Sequence, residues 1–108
     1  MRTILNIPIK FGTPRIEYLQ QFRQGLEELA DRIRPQLILV SAGFDAHRLD
    51  PIGSLGLESE DFASMTRLVV EVAKTYSGGR VVSVLEGGYD PSALAECVEC
   101  HVQELFAA

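Results

Sequence analysis

Long apolar runs and clusters of basic residues are both absent from this chain, and each absence excludes a class of function. No apolar run approaches the roughly 20 residues that a transmembrane helix needs, and residues 1–5 lead into a predicted strand rather than a signal peptide. The net charge is −5 and the sequence pI is about 4.9, with no Lys/Arg cluster to follow a phosphate backbone. We therefore expect a cytoplasmic protein with no membrane association and no direct nucleic-acid binding.

Cysteine is also scarce, and the two cysteines stand close together. Cys97, Cys100 and His101 match the Cys-x-x-Cys-His pattern of covalent haem attachment, but that chemistry requires an exported protein and a distant axial ligand. The sequence has no export signal. A structural zinc site normally needs four protein ligands, so these three residues do not complete one. We interpret both cysteines as small apolar residues on a terminal helix.

The composition is that of an ordinary folded chain. Apolar residues make up 46% and charged residues 23% of the 108 residues, a balance typical of globular proteins and not of disordered ones. The length allows one domain with its own core, and no repeat, low-complexity tract or flexible linker divides it. We predict a single α/β domain over residues 1–108.

Apolar patterns predict the element order β-α-β-α-β-α. Two of the predicted strands are short aliphatic runs with little alternation, which is typical of parallel strands covered on both faces. Helices are predicted where apolar residues recur at helical spacing, with Thr13 capping the first, Ser59 opening the second and Asp90 capping the third. The predicted strands are residues 3–9, 37–42 and 80–85, and the predicted helices are residues 14–33, 59 to the stop signal at 77–79, and 90–106.

The natural architecture for this order is a three-strand parallel sheet with the strand at 37–42 in the centre. Because crossovers between parallel strands are right-handed, both crossover helices are expected on one face. The terminal helix, or a partner, must then cover the other face. A face left uncovered would favour a weak homodimer, whereas sufficient cover by the terminal helix would keep the chain monomeric.

Two motifs follow the predicted strands. Ser-Ala-Gly-Phe-Asp at 41–45 and Leu-Glu-Gly-Gly-Tyr-Asp at 85–90 each stand where a buried strand ends. Ligand sites in open α/β sheets lie at the carboxyl ends of the strands, so Asp45 and Tyr89 should project from one edge. The loop at 43–58 is longer than the usual connection of about 4–6 residues, which also favours a functional role.

These motifs resemble the carboxyl-terminal third of zinc-dependent histone deacetylases. The resemblance is carried by residues 34–47, by Asp-Pro-Ile-Gly at 50–53 and by Leu-Glu-Gly-Gly-Tyr at 85–89. It is closest to the class II and bacterial branch, which includes acetylpolyamine amidohydrolases, and Asn-Ile-Pro-Ile at 6–9 extends it upstream. The resemblance implies a three-layer-type parallel sheet fragment from the arginase/deacetylase fold.

The resemblance also implies a role for individual residues. Asp45 matches the third zinc ligand of the family, and Tyr89 matches the catalytic tyrosine whose hydroxyl donates to the oxyanion. Gly87, Gly88 and Ile52 match positions along the substrate channel, which takes acetylated lysine or a related acyl-amine. Some polyamine-preferring members place an acidic residue at the position of Ile52, so this apolar residue gives no support for polyamine selectivity.

Departures from the family are equally informative. The sequence lacks the upstream Asp-x-His zinc ligands and the paired catalytic histidines, so Zn²⁺ is expected in the complete family enzyme and this chain alone need not bind it. His47 offers a second Asp-x-His with Asp45, but the matching family histidine is not a ligand, and a role in loop structure or at the surface is favoured. Without the resemblance, Asp45 could simply cap a turn and Tyr89 could be a core or rim residue. Asp50 before Pro51 is interpreted as a turn residue.

Two functions follow. In the first, the chain is the carboxyl-terminal part of a zinc amidohydrolase and is inactive in isolation. In the second, it is a truncated, non-catalytic α/β module that folds and self-associates. The two are compatible as ancestry and present state.

Overall fold

The computed structural model describes residues 3–107, which form three helices and two parallel strands. These five elements end within two residues of their predicted bounds, and the α/β class is confirmed. The elements are α1 (Arg15–Ile33), β1 (Ile38–Gly43), α2 (Ser59–Tyr76), β2 (Val81–Gly87) and α3 (Pro91–Phe106).

Parallel pairing of β1 with β2 brings the carboxyl ends of both strands to one edge. The register begins with Ile38 opposite Val81 and continues regularly to Ala42 opposite Leu85. It then shifts, so that Gly43 lies opposite Gly87. Residue 86 therefore has no partner opposite it in β1, at the point where the strands end.

The predicted first strand is wrong, and so is the three-strand order in which it lay beside residues 37–42. Residues 3–9 form no strand, and the sheet of the described chain has two strands. The apolar side chains of Leu5 and Ile7 instead approach α1 at Gly25, where the missing side chain leaves room for them. Pro8 has no amide hydrogen to donate to a neighbouring strand. Contact with a helix thus replaces pairing with the sheet.

The predicted cap of the first helix is also wrong. Pro14 occupies the cap position of α1, and no side chain forms a capping hydrogen bond there. The Thr13 hydroxyl donates to the carbonyl of Lys10 at 2.7 Å, so it closes the preceding turn. The helix nevertheless begins where expected because Pro14 has a fixed φ that suits a helix entry.

Acidic residues begin α2 and connect it to α1. The buried Asp61 carboxylate accepts hydrogen bonds from the Glu58 amide at 2.8 Å and from the Arg15 guanidinium at 2.7 Å. Arg15 also pairs with Glu60 at 2.7 Å. The negative charge at the start of α2 offsets the helix dipole, and the shared arginine holds the first turns of the two helices together.

The core lies between the sheet and the helices. Phe44 and Phe62 meet edge to face, with ring centroids 5.2 Å apart, and Cys97 of α3 is fully buried beside them. The predicted apolar role of Cys97 is thus confirmed. The buried apolar cluster consists of Ala42, Phe44, Leu57, Phe62 and Cys97.

The three helices pack on one face of the sheet, and α3 does not cover the other. Tyr18 of α1 and Val40 of β1 pack against the same core cluster, and Ser83 of β2 bonds to His101 of α3 on that side. On the opposite face three side chains are largely exposed: Leu39 by 70%, Val82 by 49% and Val84 by 56%. No element of residues 3–107 covers this face.

Within the described residues, no helix is both long and apolar enough to cross a membrane.

A buried histidine of α3, His101, links this helix to α2 and to β2. The Thr66 hydroxyl donates to the Phe62 carbonyl at 2.7 Å, so its oxygen is left to accept from Nδ1 of His101, also at 2.7 Å. Nε2 then accepts from the Ser83 hydroxyl at 2.7 Å. The neutral Nδ1–H tautomer satisfies every partner, and burial lowers the pKa of His101.

We predict that acid weakens the fold through His101. The unfolded chain binds the proton more readily than the folded chain, so this contribution to stability is complete above the ordinary pKa of 6.5 and is lost as the pH falls towards the lower folded value. The free energy of unfolding, measured by urea titration, should fall between about pH 7.5 and about pH 5.5. A His101→Gln variant should show a smaller fall, and an equal fall in the variant would contradict the assignment.

We also predict that the chain self-associates through the exposed sheet face defined by Leu39, Val82 and Val84. Apolar surface of this kind favours contact with a second copy. Sedimentation should give a mass that rises above 11.9 kDa with concentration. Leu39→Glu should reduce the effect, whereas Ile16→Glu, an equally exposed position on α1 at 69%, should not. A constant monomer mass up to high micromolar concentration would contradict the prediction.

Candidate functional site

The two motifs predicted at the strand ends lie side by side. The Phe44 amide, directly after β1, donates to the carbonyl of Gly87 at the end of β2, at 2.9 Å. This bond continues the strand pairing by one step beyond Gly43. The loop that carries Asp45 and the turn that carries Tyr89 therefore leave the same edge of the sheet, as the sequence predicted.

Asp45 has a fixed backbone and an open carboxylate. Its carbonyl accepts from the Ser54 amide at 2.9 Å. Its carboxylate lies over two glycines: a Cβ on Gly43 would stand 3.2 Å from Oδ1, and one on Gly87 would stand 3.6 Å from it. No hydrogen bond to this carboxylate is formed from within residues 3–107. The backbone of Asp45 is therefore held in place, while its carboxylate has no hydrogen-bond donor in the described part of the chain.

Asp45 lines a cavity on the helix side of the sheet. The cavity has a volume of about 250 Å³, and Tyr18 and Asp45 both line it. Burial, together with the nearby Asp45 carboxylate, raises the pKa of Tyr18. The Tyr18 phenol therefore stays protonated beside the carboxylate at neutral pH.

Tyr89 lies at the rim of the site. Its amide donates to Oδ2 of Asp50 at 2.8 Å, and its side chain is 54% exposed. Gly88 before it has φ +131°, and a Cβ there would stand 2.7 Å from Leu94 Cδ1. Asp90 after it caps α3 by accepting from the Ala93 amide at 3.0 Å. The backbone around Tyr89 is thus held on both sides while its ring faces solvent.

The loop from β1 to α2 is held by buried polar groups. Nδ1 of His47 accepts from the Leu49 amide at 3.1 Å, and Nε2 lies 3.3 Å from the Ser59 hydroxyl. His47 is only 2% exposed, so of the two roles expected for it, in loop structure or at the surface, it has the first. Gly53 passes so close to the Asp45 carbonyl that a side chain would overlap it. Ile52 at the tip is 73% exposed.

Asp50 makes the contact that sequence reasoning missed. Its carboxylate accepts the Ile52 and Gly53 amides at 2.8 and 2.9 Å, which confirms the predicted turn. It also accepts the Tyr89 amide, 39 residues away. Burial raises the pKa of Asp50, but the bonds from Gly53, Tyr89 and Ile52 outweigh it and hold the pKa below its ordinary value. No local signal could show this bond, because an Asp-Pro step predicts only the turn.

A metal site is not completed by the described residues. No group of three histidine, cysteine or carboxylate side chains converges among residues 3–107. Catalytic zinc is usually held by three protein ligands, and Asp45 fits the part of one of them. The structure thus gathers Asp45, Gly87, Gly88, Tyr89 and Ile52 at one edge, and their individual roles stay predictions.

Together, the fold and this edge define an α/β unit whose candidate ligand-binding residues follow the carboxyl ends of parallel strands. Comparison with known proteins assigns the family. The family model of the histone deacetylase domain matches residues 1–105, and the chain belongs to this family. The resemblance seen in the sequence is thereby confirmed.

Relatives come from eukaryotes and bacteria. The chain is 41% identical over 106 residues to the type-2 histone deacetylase 2 of Dictyostelium discoideum, covering 95% of this chain and 6% of that protein. It is 38% identical to the histone deacetylase-like amidohydrolase of Pseudomonas aeruginosa, covering 94% of this chain and 27% of that protein.

A solved structure gives the same result. The structure of the histone deacetylase Clr3 superposes with a TM-score of 0.79 at 28% identity, covering 91% of this chain and 16% of that one. The chain therefore spans less than a third of each protein it matches here.

We predict that Gly88→Ala destabilises the chain more than Gly79→Ala. Both residues have positive φ, at +131° and +80°, but a Cβ at Gly79 would meet no atom within 4 Å. The loss of stability in Gly79→Ala therefore measures only the cost of a side chain at positive φ. In Gly88→Ala, a clash with Leu94 adds to that cost. The extra loss should be about 1–3 kcal/mol, measured by urea unfolding. Equal losses would show that Leu94 moves aside freely.

Proposed function

We propose that the chain is the carboxyl-terminal part of a zinc-dependent amidohydrolase that acts on acetylated lysine or a related acyl-amine. The observation that carries the proposal is the open Asp45 carboxylate, set over Gly43 and Gly87 at the edge that also presents Tyr89. Family membership supports the reaction class. The names of the Dictyostelium and Pseudomonas relatives, a deacetylase and an amidohydrolase, agree with it.

Asp45 would hold the metal together with ligands from another segment. A carboxylate oxygen is a good zinc ligand, and this one has no competing donor among the described residues. When bound, zinc would supply an activated water and polarise the acyl carbonyl. The task of this chain is to keep the Asp45 carboxylate in place, which the Ser54 amide and the loop do through the Asp45 backbone.

Tyr89 would stabilise the charge that forms on the acyl oxygen. Its phenol is a hydrogen-bond donor on an exposed side chain, beside a backbone fixed by Gly88 and Asp50. A donor aimed at a developing oxyanion lowers the barrier because it interacts more strongly with the transition state than with the substrate. Ile52, Gly87 and Gly88 would line the channel for the acyl-lysine stem.

A second candidate function rests on different observations. No group of three metal-binding side chains converges among the described residues, and one face of the sheet is uncovered. Both fit a non-catalytic α/β module that folds and associates with a second copy. The genomic reading frame separates the two: an in-frame upstream segment with Asp-x-His and paired histidines would supply the enzyme, and its absence would favour the module.

We predict that the 108-residue chain alone has negligible deacetylase activity, even with added zinc. One carboxylate cannot replace three convergent ligands, and no histidine pair is present to act as base. The assay is zinc-titrated hydrolysis of an acetyl-lysine peptide. Turnover that requires zinc and disappears in Asp45→Ala and Tyr89→Phe would overturn the prediction.

The proposed function itself is tested on a protein in which an upstream segment with Asp-x-His and paired histidines is joined in frame to this chain. Asp45→Ala should abolish its deacetylation, and Tyr89→Phe should reduce the rate about 10²–10³-fold. Asp31→Ala, an exposed carboxylate on α1, is the matched control and should leave the rate unchanged. Full activity of the Asp45 variant would reject the assignment of this residue as a ligand.

A further inference from the structure

Asp50 is a buried carboxylate whose hydrogen bonds in the described part of the chain all come from the backbone. It is 4% exposed, and none of its hydrogen bonds comes from a lysine, arginine or histidine. All three come from backbone amides. Burial of a charge is costly unless the charge is hydrogen-bonded, so the three amides are what allow this carboxylate to lie here.

The two oxygens of Asp50 have separate tasks. Oδ1 accepts from Ile52 and Gly53 and closes the turn at the loop tip, at 2.8 and 2.9 Å. Oδ2 accepts from Tyr89 at 2.8 Å and reaches across to the turn after β2. One rigid carboxylate therefore fixes the backbone at Ile52 and at Tyr89 relative to each other.

We propose that Asp50 is the positioning residue of this site, setting Tyr89 against the loop that carries Ile52 and Asp45. Its meaning for catalysis rests on the proposed function, because only there does Tyr89 donate to an oxyanion. Such donors act only within a narrow distance of the charge, and a misplacement of about 1 Å can cost about 10²-fold in rate. The fixing of Tyr89 relative to Ile52 by Asp50 concerns this chain alone and does not depend on catalysis.

Asparagine cannot take over both tasks. Its single carbonyl oxygen can serve the turn, but its NH₂ group then meets the Tyr89 amide, and two donors cannot bond. With the amide flipped, Tyr89 keeps its acceptor and the Ile52 and Gly53 amides lose theirs. Asp50→Asn therefore breaks one side of the clamp in either orientation while keeping the size of the side chain.

Asp90→Asn is the matched control. Asp90 is the next residue after Tyr89, and its carboxylate caps α3 through the Ala93 amide. Asparagine caps a helix as well as aspartate does, so this variant removes a charge beside Tyr89 and keeps the local structure. A difference between the two variants then reports the hydrogen bond and not the charge.

The first experiment uses the unmodified chain. Nuclear magnetic resonance should detect a coupling across the hydrogen bond between the Tyr89 amide nitrogen and the Asp50 carboxyl carbon, and slow solvent exchange of the Tyr89 amide. This measurement needs neither zinc nor turnover, so it stands even where the proposed function fails. Rapid exchange of the Tyr89 amide with no coupling would overturn the proposal.

The second experiment compares the variants by amide exchange. In Asp50→Asn, the Tyr89 amide or the Ile52 and Gly53 amides should exchange about 10- to 100-fold faster, the loss expected for a hydrogen bond to a charged group. The amides of α2 should be unchanged, and Asp90→Asn should leave Tyr89 protected. Uniform acceleration throughout Asp50→Asn would reveal a general stabilising role, and unchanged exchange at all three amides would show no clamp; either result overturns positioning.

Discussion

Parallel pairing between β1 and β2 is the constraint on which the rest of the structure depends. It ends both strands at one edge, and the bond from the Phe44 amide to the Gly87 carbonyl keeps the emerging segments together. The carboxylate of Asp45 fits there because both residues beneath it, Gly43 and Gly87, lack side chains. The candidate site therefore depends first on the backbone pairing and on the glycines at the strand ends.

Buried polar groups then hold the loop from β1 to α2 and the first turn of α2 in place. His47 and Asp50 hold the long loop from within, each bonding to nearby amides, and Asp61 with Arg15 holds the start of the helix that follows. Each buried polar group is costly unless it is satisfied, and no buried side-chain polar atom in the described chain lacks a partner. The open carboxylate of Asp45 stands out against this background because the loop around it is so fully bonded.

Much of this arrangement could be read from the sequence because its signals are local. Pro14, the Gly78–Gly79 pair and the Asp90–Pro91 step act on their own neighbours, so the helix ends are predicted closely. The common edge of Asp45 and Tyr89 follows from a general property of parallel sheets. The failed strand is non-local: the segment at 3–9 has an apolar pattern suited to a strand, and only the contact with Gly25 decides otherwise. The failed cap is local, because Thr13 bonds to the Lys10 carbonyl and not to the helix.

Because the helices pack on one side only, the stability of the chain can depend on what binds to the exposed sheet face. Whatever binds Leu39, Val82 and Val84 binds only the folded chain, since these side chains form one surface only when the strands are paired. Binding of that kind adds to the free energy of unfolding in proportion to the logarithm of partner concentration. If a second copy or a partner binds this face, the melting temperature of the chain rises with the concentration of that copy or partner.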